Sequence, residues 1–293
     1  MMAGPLKFGI FGFHRGADVS PEGLARRGRA AEAAGFESLW VGDHVVVPAV
    51  EPGSSAATTV TGAHVEDLRL EALIALTYLA AQTTTVRLGI GVIVVPQREP
   101  LTLAKQLASL DVLSGGRVIF GIGVGWLESE LRALGVSMAE RGARTDEYLA
   151  AMRAIWSGSP ASYSGRFVSF ENMVAVPPPL QQPHPPIVVG GYAPGALRRA
   201  IEQAHGWFGF NLDADRTAGY LEDLREAARR YERPAALGEL EISVSVGGSV
   251  DAATAARYAA LGVHRLILLP DGNARDSLDR VIGRAQQELI GRV

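Results

Sequence analysis

The sequence of 293 residues contains no cysteine. Disulfides, thiolate nucleophiles and cysteine-based metal sites are thereby excluded. Lysine is nearly absent: only Lys7 and Lys105 occur among the 28 basic residues. A Schiff-base enzyme of strand-helix architecture needs a lysine at a strand end. Lys7 falls at the entrance of the first expected strand and Lys105 inside an expected helix, so that chemistry is close to excluded. No apolar run reaches the roughly 18 residues of a membrane span. The net charge is -3 and basic runs are short, which argues against nucleic acid as a partner. The start, Met1 to Lys7, is too short and too weakly apolar for a signal peptide. A cytoplasmic protein is therefore expected, acting on a small-molecule substrate.

What is present is apolar residue, 47% against 20% charged, ample for a large core. Short apolar, β-branched runs alternate with Ala- and Arg-rich amphipathic segments. The expected strands are Leu6–Phe11, Ser38–Gly42, Val86–Val95, Val118–Val124, Pro186–Gly190, Trp207–Phe210, Glu241–Val246 and His264–Leu269. Most read as continuous apolar runs, as strands buried on both faces do. A helix is expected after each. The first has Ser20 as its N-cap, Pro21 at its first position and Gly35 as its stop. Gly115, Gly158, Gly206 and Gly262 stand where later helices should stop. Eight units, with no linker and no change of composition along the chain, favour a closed (β/α)8 TIM barrel in one domain over an open sheet.

Two connections are long. Residues Val45 to Asp67 are rich in Pro, Gly, Ser and Thr. Residues Ser157 to Pro185 form an insertion after strand four and carry a hairpin around Ser164-Gly165. In a barrel, the loops after the strands surround the active site. The strand ends expose glycines, aromatics and the pair Asp43-His44. They hold no His-x-His and no cluster of carboxylates, so a metallohydrolase is poorly supported. Asp43-His44 could exchange protons or could cap the long loop. His14 is a similar, lonelier candidate, and His64 lies within the long second loop. His184, His205 and His264 are expected to be structural or exposed. Gly190-Gly191 before a helix start could bind phosphate or simply make a tight turn. The run Gly121-x-Gly123-x-Gly125 is not a dinucleotide fingerprint, because its third glycine comes one residue early and it follows strand four. Its glycines serve either close packing or ligand approach. Arg141, Arg144, Asp146 and Glu147 are either solvated ion pairs or a tie between insertion and barrel.

The run Ala34 to His44 (AGFESLWVGDH) resembles the second strand of the luciferase-like flavin monooxygenase superfamily. Val86 to Val92 through Pro96, with Pro100-Leu101 and Ala104-Lys105-Gln106, is similar to its third unit. Leu110 to Arg117 and Gly121 to Trp126 resemble its fourth. Arg141-Gly142-x-Arg144-x-Asp146-Glu147 and Pro185 to Gly191 complete the set. The likeness reaches to about Trp207. Within the superfamily, Asp-His at the end of strand two resembles the branch that uses coenzyme F420, a deazaflavin.

That resemblance implies a TIM-like barrel, a homodimer and hydride transfer between F420 and a small organic substrate. It implies a bulged third strand with a non-prolyl cis peptide at Gly91-Val92, behind the deazaflavin ring. Val124, Gly125 and Trp126 would line the ring, and Asp43 would contact its polar edge or its ribityl chain. Gly190 and Gly191, beside Tyr192, would offer backbone amides to the cofactor phosphate. His44, with Asp43, would manage the proton. Some members carry a glutamate where Trp126 stands here. Others place a tryptophan soon after Asp-His, where this chain has Val45, Val46, Val47 and Pro48; a more apolar substrate follows. Two alternatives remain. One is an FMN monooxygenase using oxygen and a separate cofactor-reducing enzyme. The other is a cofactor-binding barrel without turnover.

Overall fold

A computed structural model describes residues 5–16, 19–48, 69–270, 272 and 277–292. His64 and most of the second loop lie outside the described residues. The strands in chain order are β1 (Lys7–Phe11), β2 (Ser38–Val41), β3 (Arg87–Ile90), β4 (Ile93–Val94), β5 (Val118–Gly123), β6 (Ala161–Ser164), β7 (Ser169–Met173), β8 (Ile187–Gly190), β9 (Gly206–Gly209), β10 (Glu241–Val246) and β11 (Arg265–Leu268). The helices are α1 (Pro21–Ala33), α2 (Ala72–Gln82), α3 (Pro100–Leu113), α4 (Glu128–Ala133), α5 (Arg141–Ile155), α6 (Pro194–Gln203), α7 (Ala214–Arg230), α8 (Ala252–Leu261) and α9 (Ser277–Glu288).

All strands but β6 and β7 pair in parallel, in the order β3-β2-β1-β11-β10-β9-β8-β5. Pairing of Leu88 with Val118 and of Gly89 with Ile119 closes the ring. The result is the expected eight-stranded barrel. The third barrel strand is interrupted where a single run, Val86–Val95, was expected. The Gly91–Val92 peptide is cis. Beyond it, β4 resumes the pairing with β5, Ile93 opposite Ile122.

Burial has two layers. Apolar residues pointing outward from the strands meet the helices in one large core. Those pointing inward fill the lumen: Phe11, Trp40, Ile119, Val188, Phe208, Ile267 and Leu269. Trp40 is fully buried and stacks on Phe208 with ring centroids 5.5 Å apart. Burying an indole of 150–250 Å² contributes at most about 4–6 kcal/mol. Gly89 makes that possible, since a Cβ there would meet the Trp40 ring at 2.5 Å. At the N-terminal end the lumen is plugged by Arg265, whose buried guanidinium donates to Glu37 at 2.7 and 2.8 Å and to Ser243 at 2.9 Å. The C-terminal end of the lumen is left open to a ligand.

Local rules place the helices. Ser20 caps α1 through the Gly23 N–H at 3.0 Å, with Pro21 next. Gly35, Gly115, Gly158 and Gly262 take positive φ after helices, as stops require. Gly206 does not act as a stop. It opens β9, because a Cβ there would lie 2.7 Å from the Glu241 carbonyl oxygen of the neighbouring strand. The insertion hairpin β6–β7 is antiparallel. Glu147 of α5 holds its turn by accepting from the Arg166, Phe167 and Val168 N–H groups at 3.0, 2.6 and 2.9 Å. The charged cluster thus ties the insertion to the barrel. Its other acid, Asp146, pairs with Arg198 and Arg199 of α6.

Candidate active site

The barrel mouth contains a cavity of about 510 Å³. Asp43, His44, Gly91, Val92, Val124, Gly125, Trp126, Gly190, Gly191 and Tyr192, scattered over 150 positions of sequence, all line it. The walls are mainly apolar: Phe11, Val94, Phe208 and Phe210 join Val92, Val124 and Trp126. Arg15, Arg69 and Arg216 add positive charge. Trp126 and Phe210 are more than two-fifths exposed at the opening.

The glycines mostly make room for one side chain. A Cβ at Gly123 would meet Val92 Cγ2 at 2.7 Å, and one at Gly190 would meet Val92 Cγ1 at 2.8 Å. A Cβ at Gly121 would fall 1.7 Å from the Ile90 carbonyl oxygen and 3.4 Å from Val92 Cγ1. The three glycines form a slot that seats the Val92 isopropyl group, so Val92 becomes a fixed apolar wall. Of the two readings of Gly121-x-Gly123-x-Gly125, close packing accounts for all three positions, since a Cβ at Gly125 (φ +84°) would meet Val94 Cγ1 at 2.8 Å.

Asp43 is engaged on both oxygens. Oδ1 and Oδ2 each accept from the Arg98 guanidinium at 2.7 Å, and Oδ2 also accepts the Val94 N–H at 3.0 Å. Its side chain is 1% exposed. The carboxylate therefore pins the resumed strand β4 to the end of β2. Burial would lower the basicity of Arg98, but its bonds to Asp43 and Glu71 outweigh burial and raise it.

His44 meets a partner that the sequence reading did not single out. Its Nδ1 lies 2.8 Å from Glu130 Oε2. The other Glu130 oxygen accepts the Val45 and Val46 N–H groups at 2.7 and 3.3 Å. Burial pushes the Glu130 carboxyl up, yet these bonds together hold it below its ordinary value. An ionised carboxylate at Nδ1 orients the ring and leaves Nε2 as the working nitrogen. Glu130 sits on the unexpected short helix α4. A signal was available: Leu127, Leu131 and Leu134 make an apolar stripe at helical spacing, and Glu130 interrupts it. Trp126 stands edge-on to His44 with centroids 6.2 Å apart.

His14 is 4% exposed and accepts the Gly42 N–H at Nδ1, 3.2 Å away. Tyr192 spends its hydroxyl on the Phe210 backbone, both bonds 2.8 Å, and stacks on Tyr220. Gly190 and Gly191 lie ahead of α6, whose N-cap Ala193 offers no capping side chain. With Arg216 on the same cavity, this corner suits an anionic group. The other described histidines are structural: His205 and His264 accept the Ile187 and Ile242 N–H groups, and His184 contacts the Pro185 carbonyl. Among the described residues no group of three metal-ligating side chains converges. No described helix is long and apolar enough to cross a membrane.

The family of luciferase-like monooxygenases matches residues 6–288, and so includes the last quarter, where no motif was recognised. An uncharacterised protein of Mycobacterium tuberculosis (strain H37Rv) is 33% identical over 279 residues, 93% of this chain and 95% of that one. An FMNH2-dependent dimethylsulfone monooxygenase of Pseudomonas putida is 33% identical over 132 residues, 44% of this chain and 36% of that one. Among solved structures, an F420-dependent secondary alcohol dehydrogenase in complex with an F420-acetone adduct matches with a TM-score of 0.74. It is 17% identical, over 96% of this chain and 98% of that one. At that identity the likeness is one of fold.

Proposed function

The chain belongs to the luciferase-like monooxygenase family, and we propose that within it the protein is an oxidoreductase that seats coenzyme F420 in the mouth cavity and moves a hydride between it and a small organic substrate. The observation that carries this reading is the Glu130–His44 pair at the wall of a cavity otherwise lined by apolar and aromatic side chains. A volume of about 510 Å³ lies within the roughly 300–1,000 Å³ of small-ligand sites. The aromatic walls fit a flat tricycle, and the Gly190-Gly191 corner with Arg216 fits its phosphate.

When bound, the deazaflavin supplies or accepts the hydride; it reacts poorly with oxygen, which favours a dehydrogenase or reductase. The protein's own groups do the rest. Val92, held in its glycine slot, would hold the ring together with Val124, Gly125 and Trp126 of the same cavity wall. Asp43 acts from behind, fixing β4 through Arg98 and Val94. His44 would give or take at Nε2 the proton that balances the hydride, and Glu130 holds the ring in place at Nδ1. The exposed apolar side chains of Trp126 and Phe210 on the cavity favour an apolar substrate.

A second reading has its own support in the FMNH2-dependent relative: reduced FMN in the same cavity, oxygen as co-substrate, and a separate reductase. Titration with F420 and with FMN, followed by fluorescence, separates the two. F420 should bind at micromolar concentration, and His44→Ala should bind it within about threefold while losing turnover. Tight FMN binding with no affinity for F420 would replace the first reading by the second. Unchanged turnover in His44→Ala would remove His44 from the mechanism.

A further inference from the structure

We propose that His14 is the residue that receives the substrate's oxygen, donating a hydrogen bond from Nε2, and that the site is built for a carbonyl compound or its alcohol. The assignment rests on reading the cavity as the cofactor site. It adds to that reading a second histidine with a role distinct from that of His44.

The chain delivers His14 firmly. After β1, Gly12 turns at φ +115°. The His14 carbonyl then accepts the Leu70 N–H at 2.7 Å, and Arg15 forms an antiparallel bridge with Arg69. The ring meets Phe11 edge-on, with centroids 5.5 Å apart. Its tautomer follows from one bond. Nδ1 accepts the Gly42 N–H, so in the neutral ring the hydrogen is on Nε2. The ring edge bearing Nε2 lies over the bare Cα of Gly42, where a Cβ would come within 3.1 Å. Both residues line the cavity. Nε2 has no protein partner among the described residues. Nε2 is not among the sealed side-chain atoms that lack a partner, so in the cavity wall its N–H stands open to a ligand atom that accepts it.

The ring is also held neutral. Burial, first of all, and then the charges of Arg15, Arg69 and His44 keep His14 well below its ordinary value. Such an imidazole does not work as a proton carrier near neutral pH; it remains a fixed donor. His44, held at Nδ1 by Glu130, is the second imidazole on the cavity wall. A carbonyl oxygen has two lone pairs and can accept from both rings at once. A substrate with only carbon at that position would leave the Nε2–H of His14 unpaired.

The test uses the full chain with 15N-labelled histidine. Long-range proton–nitrogen NMR from pH 5.5 to 8.5, with His14 assigned by the His14→Gln variant, should show an Nε2–H tautomer that does not titrate. A ring protonated at Nδ1, or one that titrates in this window, overturns the proposal. Cyclohexanone added to the F420-loaded protein should shift His14 Nε2, and methylenecyclohexane, its oxygen-free analogue, should not. Equal shifts, or none, overturn it. His14→Phe should weaken cyclohexanone binding at least tenfold and leave F420 affinity within about twofold. The reverse pattern would assign Nε2 to the cofactor and overturn the substrate role. If that variant does not fold, the wild-type arms still decide. If F420 itself fails to bind, the cofactor reading falls, and the pH series on the free protein still judges His14.

Discussion

Replacing Asp43 by alanine separates a clamp from a reacting group. Asp43 is all but sealed from solvent and Arg98 is 13% exposed. Removing one partner of a buried pair costs about 3–5 kcal/mol, since the other charge is left uncompensated. The Val94 N–H also loses its acceptor. Glu71, 2.9 Å from the same guanidinium nitrogen, softens the loss, so the lower end is expected. With an unfolding entropy of about 2.1 cal/mol/K per residue, 293 residues lose about 5 °C of Tm for 3 kcal/mol. Urea unfolding of Asp43→Ala, Arg98→Ala and the double variant should give a coupling energy of about 2 kcal/mol. F420 affinity should fall with it, because β4 and Val92 lose their anchor. If Asp43→Ala unfolds within 0.5 kcal/mol of the parent yet loses cofactor binding, the clamp account is wrong and the carboxylate acts on the ring.

Three further outcomes are expected. Gly121→Ala places a Cβ 1.7 Å from the Ile90 backbone oxygen and should abolish soluble expression. Gly123→Ala only pushes Val92 and should cost about 1–3 kcal/mol with weaker cofactor binding; equal behaviour of the two in thermal melts would refute the slot. Glu147→Ala removes the acceptor of three hairpin N–H groups, so limited proteolysis should cut near residues 164–168 while the barrel stays intact. His205 is pushed down from 6.5 to about 4, by burial first and then by His184, Arg233 and Arg153. Below about pH 6.5 the unfolded chain binds a proton that the folded one refuses. Stability present at neutral pH should thus fall by on the order of 2–3 kcal/mol between pH 6.5 and 4. His205→Gln, which can still accept the Ile187 N–H, should flatten that slope in urea titrations.

The strand-helix alternation was legible because burial on both faces leaves continuous apolar runs, and caps such as Ser20-Pro21 act within a turn. The strand-end residues followed from barrel geometry and from motif resemblance. Gly206 was misplaced because a glycine after a helix reads as a stop unless the neighbouring strand is visible. Glu130 was passed over because a lone glutamate in a six-residue helix differs from Glu128 only by the stripe it interrupts.

Taken alone, the sequence settled the architecture and which residues crowd the mouth, since both depend on local periodicity and order along the chain. Tertiary structure decided what those residues do. Asp43 meets Arg98 across 55 positions and Glu130 meets His44 across 86, and only the closed barrel brings such groups within bonding distance. Whether a carboxylate is spent on a guanidinium or held against an imidazole depends on that proximity, which residue type does not encode.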